Sequence, residues 1–133
     1  MAQLKRFGFA LQALIVLASS EEHRSSTELA DHIRGEPTQL RKILAQLSEA
    51  GIVEVRQGRG GGYQLTRKPE LITLSEIYRS VHENEPKWDR MLDTTGDHHF
   101  GQKVHESFRK IMTDINIQVD LVLAGYTIAD LLD

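Results

Sequence analysis

The chain has 133 residues and not one cysteine. That excludes disulfides, thiol nucleophiles and every cysteine-ligated metal site, and it fits a reducing compartment. Long apolar runs are missing as well: no stretch approaches the roughly 20 consecutive apolar residues that a membrane-spanning helix needs. Internal repeats and low-complexity tracts are absent. No nucleophile stands in a pattern with a base, so catalysis is not expected.

What is present suits one domain, or one small domain with an arm. Net charge is −3, which taken whole argues against a polyanionic partner. The two halves differ in sign, however. Residues 1–68 hold ten Lys/Arg against seven Asp/Glu, a net of +3, and residues 69–133 hold six against twelve, a net of −6. Between Val55 and Lys68 stand Arg56, Arg59, Arg67 and Lys68 with no acid. Local sign steers a polyanion more than total charge does.

Lys5 and Arg6 precede FALQALIVLA, which imitates a signal peptide. Leu4, Phe7, Leu11, Leu14, Ile15 and Ala18 recur at spacings of three and four, and Gln12 interrupts the run. An amphipathic buried helix over residues 3–19, in a cytoplasmic protein, is the expectation. Ser25 and Glu28 then form a capping box ahead of Leu29, Ala30 and Ile33. Gly35 is expected to end that helix in the left-handed conformation. Pro37 suits the first turn of a third helix, in which Leu40, Ile43, Leu44 and Leu47 make a stripe and Gly51 the stop.

IVEVRQ and GYQLTR alternate on either side of the glycine-rich GRGGGY at 58–63. Val53 and Val55 share one face and Tyr63 and Leu65 another, which predicts a β-hairpin. A phosphate loop would need a Gly-Lys-Ser/Thr ending, and a dinucleotide fingerprint would need glycine at position 63, so the glycines belong to a hairpin tip. Thr73 and Glu76 cap a fourth helix with Leu74, Ile77, Tyr78 and Val81 inward. Residues 83–101 are expected as a loop. A long helix follows from about residue 102 to 123, and then a short tail, TIADLL.

Two short helices joined by a tight glycine-containing turn, followed by a hairpin, make a winged helix-turn-helix. The fold class is therefore mainly α, with a two-stranded β-wing and a long C-terminal dimerisation helix. The face of the third helix opposite its apolar stripe offers Thr38, Gln39, Arg41, Lys42 and Gln46. The N-terminal residues of such a helix reach base edges, which makes Thr38, Gln39 and Lys42 base-reading candidates and Arg41 a base or phosphate contact. Ser26 and Thr27 add phosphate contacts through hydroxyls and amides. At the wing, Arg56, Arg59, Gly60, Gly61 and Tyr63 complete the set, with Arg59 aimed at a minor groove.

STELADHI, LRKILAQLSEAGIVEVRQGRGGGYQLTR and ITLSEIYRSV resemble the Rrf-two family of bacterial transcription regulators, and the likeness runs over nearly the whole chain. It implies a homodimer on a partly palindromic double-stranded DNA operator. Many members hold an iron–sulfur cluster through three cysteines in the loop before the long helix. Here that loop reads HENEPKWDRMLDTTGDHHFGQ, so the resemblance is to a cysteine-free branch, with no cofactor expected and the effector open.

His82, His98, His99 and His105 cluster near that loop, with Asp97 and Glu106 available to complete a ligand set. The spacing matches no metal signature, and no metal site is expected. Trp88 either lines an effector pocket or anchors the loop, and Glu83, Glu85, Asp89, Asp93 and Asp97 make a solvated acidic run. Val104, Phe108, Ile111, Ile115, Val119 and Val122 recur at core spacing on the long helix and are the candidate dimer interface. The expected division is 1–82 for DNA binding, 83–101 for a sensor region and 102–133 for the dimerisation helix and tail. The function expected is that of a homodimeric repressor. Two alternatives stand beside it: a ligand- or metal-dependent sensor using residues 83–105, and a winged module that binds a protein.

Overall fold

The computed structural model describes residues 2–81 and 88–132. In chain order its elements are α1 (Ala2–Ala18), α2 (Ser26–Ile33), α3 (Pro37–Glu49), β1 (Val53–Arg56), β2 (Gly62–Leu65), α4 (Leu74–Val81) and α5 (His99–Ala124). Short 3-10 turns occupy Pro69–Leu71, Asp89–Thr94 and Ile128–Leu131. The architecture is a winged helix-turn-helix extended by a long helix, as the sequence predicts. Residues 82–87 lie outside the described residues, and with them His82, Glu83, Glu85 and Pro86.

The core face of α1 coincides only in part with the one the spacing picks out: Leu14 is buried, and Phe7, Leu11 and Ala18 pack against the core. Ala10, Ala13, Leu14 and Leu17 are its buried line, while Leu4 is exposed and Phe7, Leu11, Ile15 and Ala18 are half-buried. The reason is position. α1 touches α2, α3, α4, β2 and the C-terminal turn, so it is a central helix covered on several sides. Burying a leucine such as Leu14 or Leu17 stabilises the fold by about 1.5–3 kcal/mol.

α2 begins as expected: the Glu28 amide donates to Ser25 Oγ at 3.1 Å, and the Ser25 amide donates to Glu28 Oε1 at 3.1 Å. Its end differs. Arg34, not Gly35, takes the left-handed conformation, at φ 58° and ψ 44°. The Gly35 amide then reaches back to the Ala30 carbonyl at 3.0 Å, which closes the helix end one residue earlier than a glycine cap would. Leu40, Ile43, Leu44 and Leu47 of α3 are all buried, as their spacing predicts.

β1 and β2 pair antiparallel in the register Val53↔Leu65, Val55↔Tyr63. Val53 is buried, but Val55, on the same face, is 45% exposed because the hairpin has by then left the core. The wing is also held from outside the hairpin, near the tip end of its ladder. Arg24 and Tyr63 exchange backbone hydrogen bonds of 3.0 and 2.7 Å, so residue 24 adds one bridge to the free edge of β2.

The stretch expected as a continuous loop contains the turn Asp89–Thr94, in which Thr94 and Thr95 hydroxyls donate to the Met91 and Leu92 carbonyls at 2.7 and 3.0 Å. One polar turn has no periodicity to detect. α5 starts at His99, earlier than residue 102, because its first turn is pressed on the preceding loop: a Cβ on Gly101 would collide with the Gly96 carbonyl. The tail is no loose end. Thr127 and Asp130 make a third capping box, Thr127 bridges Thr73, and Ile128 is fully buried in the core shared by α1, α3 and α4.

Candidate nucleic-acid interface

α3 is placed by its buried stripe, which leaves Thr38, Gln39, Arg41 and Lys42 on the exposed side. Arg41 leans back along the helix, its Nη2 donating to Thr38 Oγ1 at 3.3 Å. Gln46, grouped with these residues by spacing, is half-buried and accepts a hydrogen bond from Arg6 of α1. It belongs to the α1–α3 contact, and the exposed polar candidates end at Lys42.

The cap of α3 was not legible in the sequence. Glu36 folds its side chain over the helix start, Oε1 accepting from the Thr38 amide at 3.0 Å and Oε2 from the Gln39 amide at 2.8 Å. Those two backbone donors hold the Glu36 carboxyl below the usual carboxylate range. The same cause, through the Ser25 amide, lowers Glu28 at the start of α2. There Ser26 is half-buried and Thr27 exposed.

Arg56 and Arg59 are exposed on the wing, and Tyr63 is half-buried with its ring against the core. The glycines between them answer first to the protein. A Cβ on Gly61 would strike the Arg56 carbonyl, and one on Gly62, at φ 135°, would lie 2.5 Å from the Arg24 carbonyl oxygen. Gly58 and Gly60 take positive φ in open space at the tip. The wing and the start of α2 enclose an open groove of ≈ 950 Å³, which brings Ser25 and Glu28 together with Arg56, Gly60 and Gly61. Its mixed charge was not foreseen.

The candidate interface on α5 is divided by the structure. Val104, Phe108, Ile115 and Val119 are half-buried, whereas Ile111 and Val122 are 47% and 59% exposed. The most buried side chain of the helix is Met112, outside the predicted stripe. The helix thus turns one line of residues to its own chain and a neighbouring apolar line to solvent.

Around the start of α5, His98 and His99 are exposed, and His105 Nδ1 lies 2.9 Å from Thr95 Oγ1. Trp88 is 44% exposed. Leu92, Thr95, Asp97, Gln102 and His105 line a shallow cavity of ≈ 350 Å³. Among the described residues no three His, Asp or Glu side chains converge on one point. With no thiolate anywhere in the sequence, this donor set does not fit an iron–sulfur cluster.

The profile of a family described as Rrf2, iron-dependent transcriptional regulator, matches residues 4–133. Over 78 residues the chain is 31% identical to the HTH-type transcriptional regulator NsrR of Shouchella clausii, a match covering 57% of this chain and 52% of that protein. The chain thus spans about half the length of the curated relatives it first matches. Among solved structures, the IscR of T. potens superposes with a TM-score of 0.64 at 26% identity, over 95% of this chain and 82% of that one. CymR of B. subtilis gives 0.70 at 24% identity, over 95% and 92%.

Proposed function

The chain belongs to the Rrf2 family of transcriptional regulators, and on that premise we propose that it is a homodimeric repressor that binds a partly palindromic operator without an iron–sulfur cluster. The observation that carries this is one set of exposed side chains. It combines Thr38, Gln39, Arg41 and Lys42 of α3 with Arg56 and Arg59 of a wing hydrogen-bonded through Tyr63 to Arg24, two residues ahead of α2. An α-helix fills the major groove, and a cationic tip suits the adjacent minor groove or its phosphates. Ser26 and Thr27 add backbone contacts that fix register.

In this scheme residues 1–82 form the DNA-binding unit, 83–101 the sensor region and 102–133 the dimerisation helix and tail, with Ile128 closing the core of the first unit. The exposed apolar line of α5 takes a second copy, giving the two-fold symmetry a palindrome requires. Repression follows from occupying promoter DNA in place of polymerase. An effector that shifts α5 changes the separation of the two α3 helices, and half-sites lie about one DNA turn, or a multiple of it, apart.

The shallow cavity beside His105 supports a second version, in which a small ligand held near Thr95 and Asp97 is needed for DNA binding. Selection of duplexes from a random-sequence pool by the purified protein tests both. Recovery of a near-palindromic site establishes the regulator, and Arg59→Ala is then expected to reduce the salt slope by about 0.9. Recovery only after a candidate metabolite is added favours the sensor. Weak, sequence-blind binding throughout favours a protein-binding module.

A further inference from the structure

The two helices of the helix-turn-helix each begin beside a glutamate carboxylate, but the carboxylates take different amides: Glu28 that of the cap residue Ser25, Glu36 those of Thr38 and Gln39 inside the first turn. The first amide donors of a helix normally lack intrahelical partners, and together with the helix dipole they attract anions. At α3 every one is accounted for. Pro37 has no N–H, Thr38 and Gln39 donate to the Glu36 carboxylate, and Leu40 donates to the Glu36 carbonyl at 3.0 Å. At α2, by contrast, the Ser25 cap takes up the amides of Glu28 and Leu29 through its side chain and carbonyl.

We propose that Glu36 is a specificity-determining residue: its carboxylate closes the start of α3 to DNA phosphate and leaves that helix only base edges to bind. The inference rests on the DNA-binding function proposed above. A phosphate on bare amides at this position would be held regardless of sequence, because backbone contacts carry no base information. The carboxylate removes the donors and adds a repelling charge on the same surface as Thr38, Gln39, Arg41 and Lys42. It accepts hydrogen bonds and offers none, so it tolerates base amino groups and rejects phosphate oxygens.

Three proteins test this: wild type, Glu36→Ser and Glu36→Asp. Ser and Asp are both favoured helix caps, so the pair separates charge from capping. Glu36→Gln stands by as a second neutral variant should Glu36→Ser lose helix content by circular dichroism. The probes are a labelled 30-base-pair duplex of random sequence and a duplex enriched from a random pool by the wild type, titrated at several salt concentrations.

Glu36→Ser is expected to bind the random duplex about tenfold more tightly, as removal of a charge at a helix start implies. Its salt slope should steepen by about 0.9, one further phosphate. Its preference for the enriched duplex should fall by a similar factor, with Glu36→Asp close to wild type. Affinity and slope of Glu36→Ser within twofold of wild type would overturn the proposal, as would Glu36→Asp behaving like Glu36→Ser. A wild type that binds duplex but enriches no sequence also overturns it. A wild type that binds no duplex at all instead removes the DNA-binding function on which it rests, and the inference with it.

Discussion

Arg79 of α4 and Asp120 of α5 meet at 2.9 Å, and the hydroxyl of Ser75 contacts both, donating to the Asp120 carboxylate and accepting from Arg79 at 2.6 Å. The ion pair is half-exposed and by itself adds little. Ser75 is different, being only 2% exposed. Asp120→Ala leaves its buried hydroxyl without that acceptor, and should lower stability by about 1 kcal/mol in urea unfolding. Asp120→Asn keeps an acceptor oxygen and should lose less. Equal, negligible losses would mean that α4 and α5 are joined by apolar packing alone.

Gly62, the last paired residue of β2 before the tip, is where the wing touches Arg24. Gly62→Ala combines a left-handed backbone with a carbonyl 2.5 Å from the new methyl. It should destabilise by well over 1 kcal/mol, with the protection of the Tyr63 amide against hydrogen exchange lost. Gly60→Ala meets open space and suffers only the backbone penalty, about 1 kcal/mol. Comparable effects at the two positions would show that the Arg24 bridge does not hold the hairpin.

Acid should act through Glu76. The Arg67 guanidinium hydrogen-bonded to it lowers its pKa from 4.5, and the Thr73 amide adds to the effect against partial burial. A carboxylate whose folded pKa is depressed contributes stability that is fully present above the unfolded value and disappears as pH falls through the folded one. Melting temperature should therefore drop below about pH 4.5, and Glu76→Gln should flatten that part of the curve. An identical acid profile for Glu76→Gln would assign the acid sensitivity to other carboxylates.

The solvent-facing line of α5 predicts an assembly effect without a folding effect. Ile111→Asp with Val122→Asp changes two exposed positions, so the melting curve of the dissociated chain should keep its cooperativity. Light scattering at micromolar concentration should move from twice the chain mass to the chain mass. Wild type already at the chain mass would remove the dimer.

Most of the fold was legible where periodicity coincided with a start or stop signal, as at α2, α3 and α4. Ser25 with Glu28 and the α3 stripe illustrate this. For α1 the spacing finds the helix but only part of its buried surface, because periodicity picks out one face and a helix covered on several sides has more than one. Arg34 took the conformation expected of its neighbour because left-handed geometry is strongly favoured for glycine but not reserved to it. At the interface, exposure of Thr38, Gln39, Arg41 and Lys42 followed from the buried stripe, but the cap by Glu36 did not. Glutamate is not among the preferred caps, and only three-dimensional placement reveals that its longer side chain folds back over two amides. Gln46 went astray for a similar reason, since its partner Arg6 lies 40 residues away.

The double hydrogen bond between Arg24 and Tyr63 has a mechanical consequence. It clamps the hairpin near the tip end of its ladder, one pair from the last, so that bending concentrates in the loop around Gly58, Arg59 and Gly60, where the backbone is open. A short compliant tip on a braced ladder behaves as a gauge. Pressed into a minor groove, it deflects little in a wide one and strains in a narrow one, while the arginine gains from the deeper negative potential of the narrow groove. In the DNA-binding function proposed above, the wing would thereby respond to the width of the duplex, a property set by base pairs that no side chain of the protein touches.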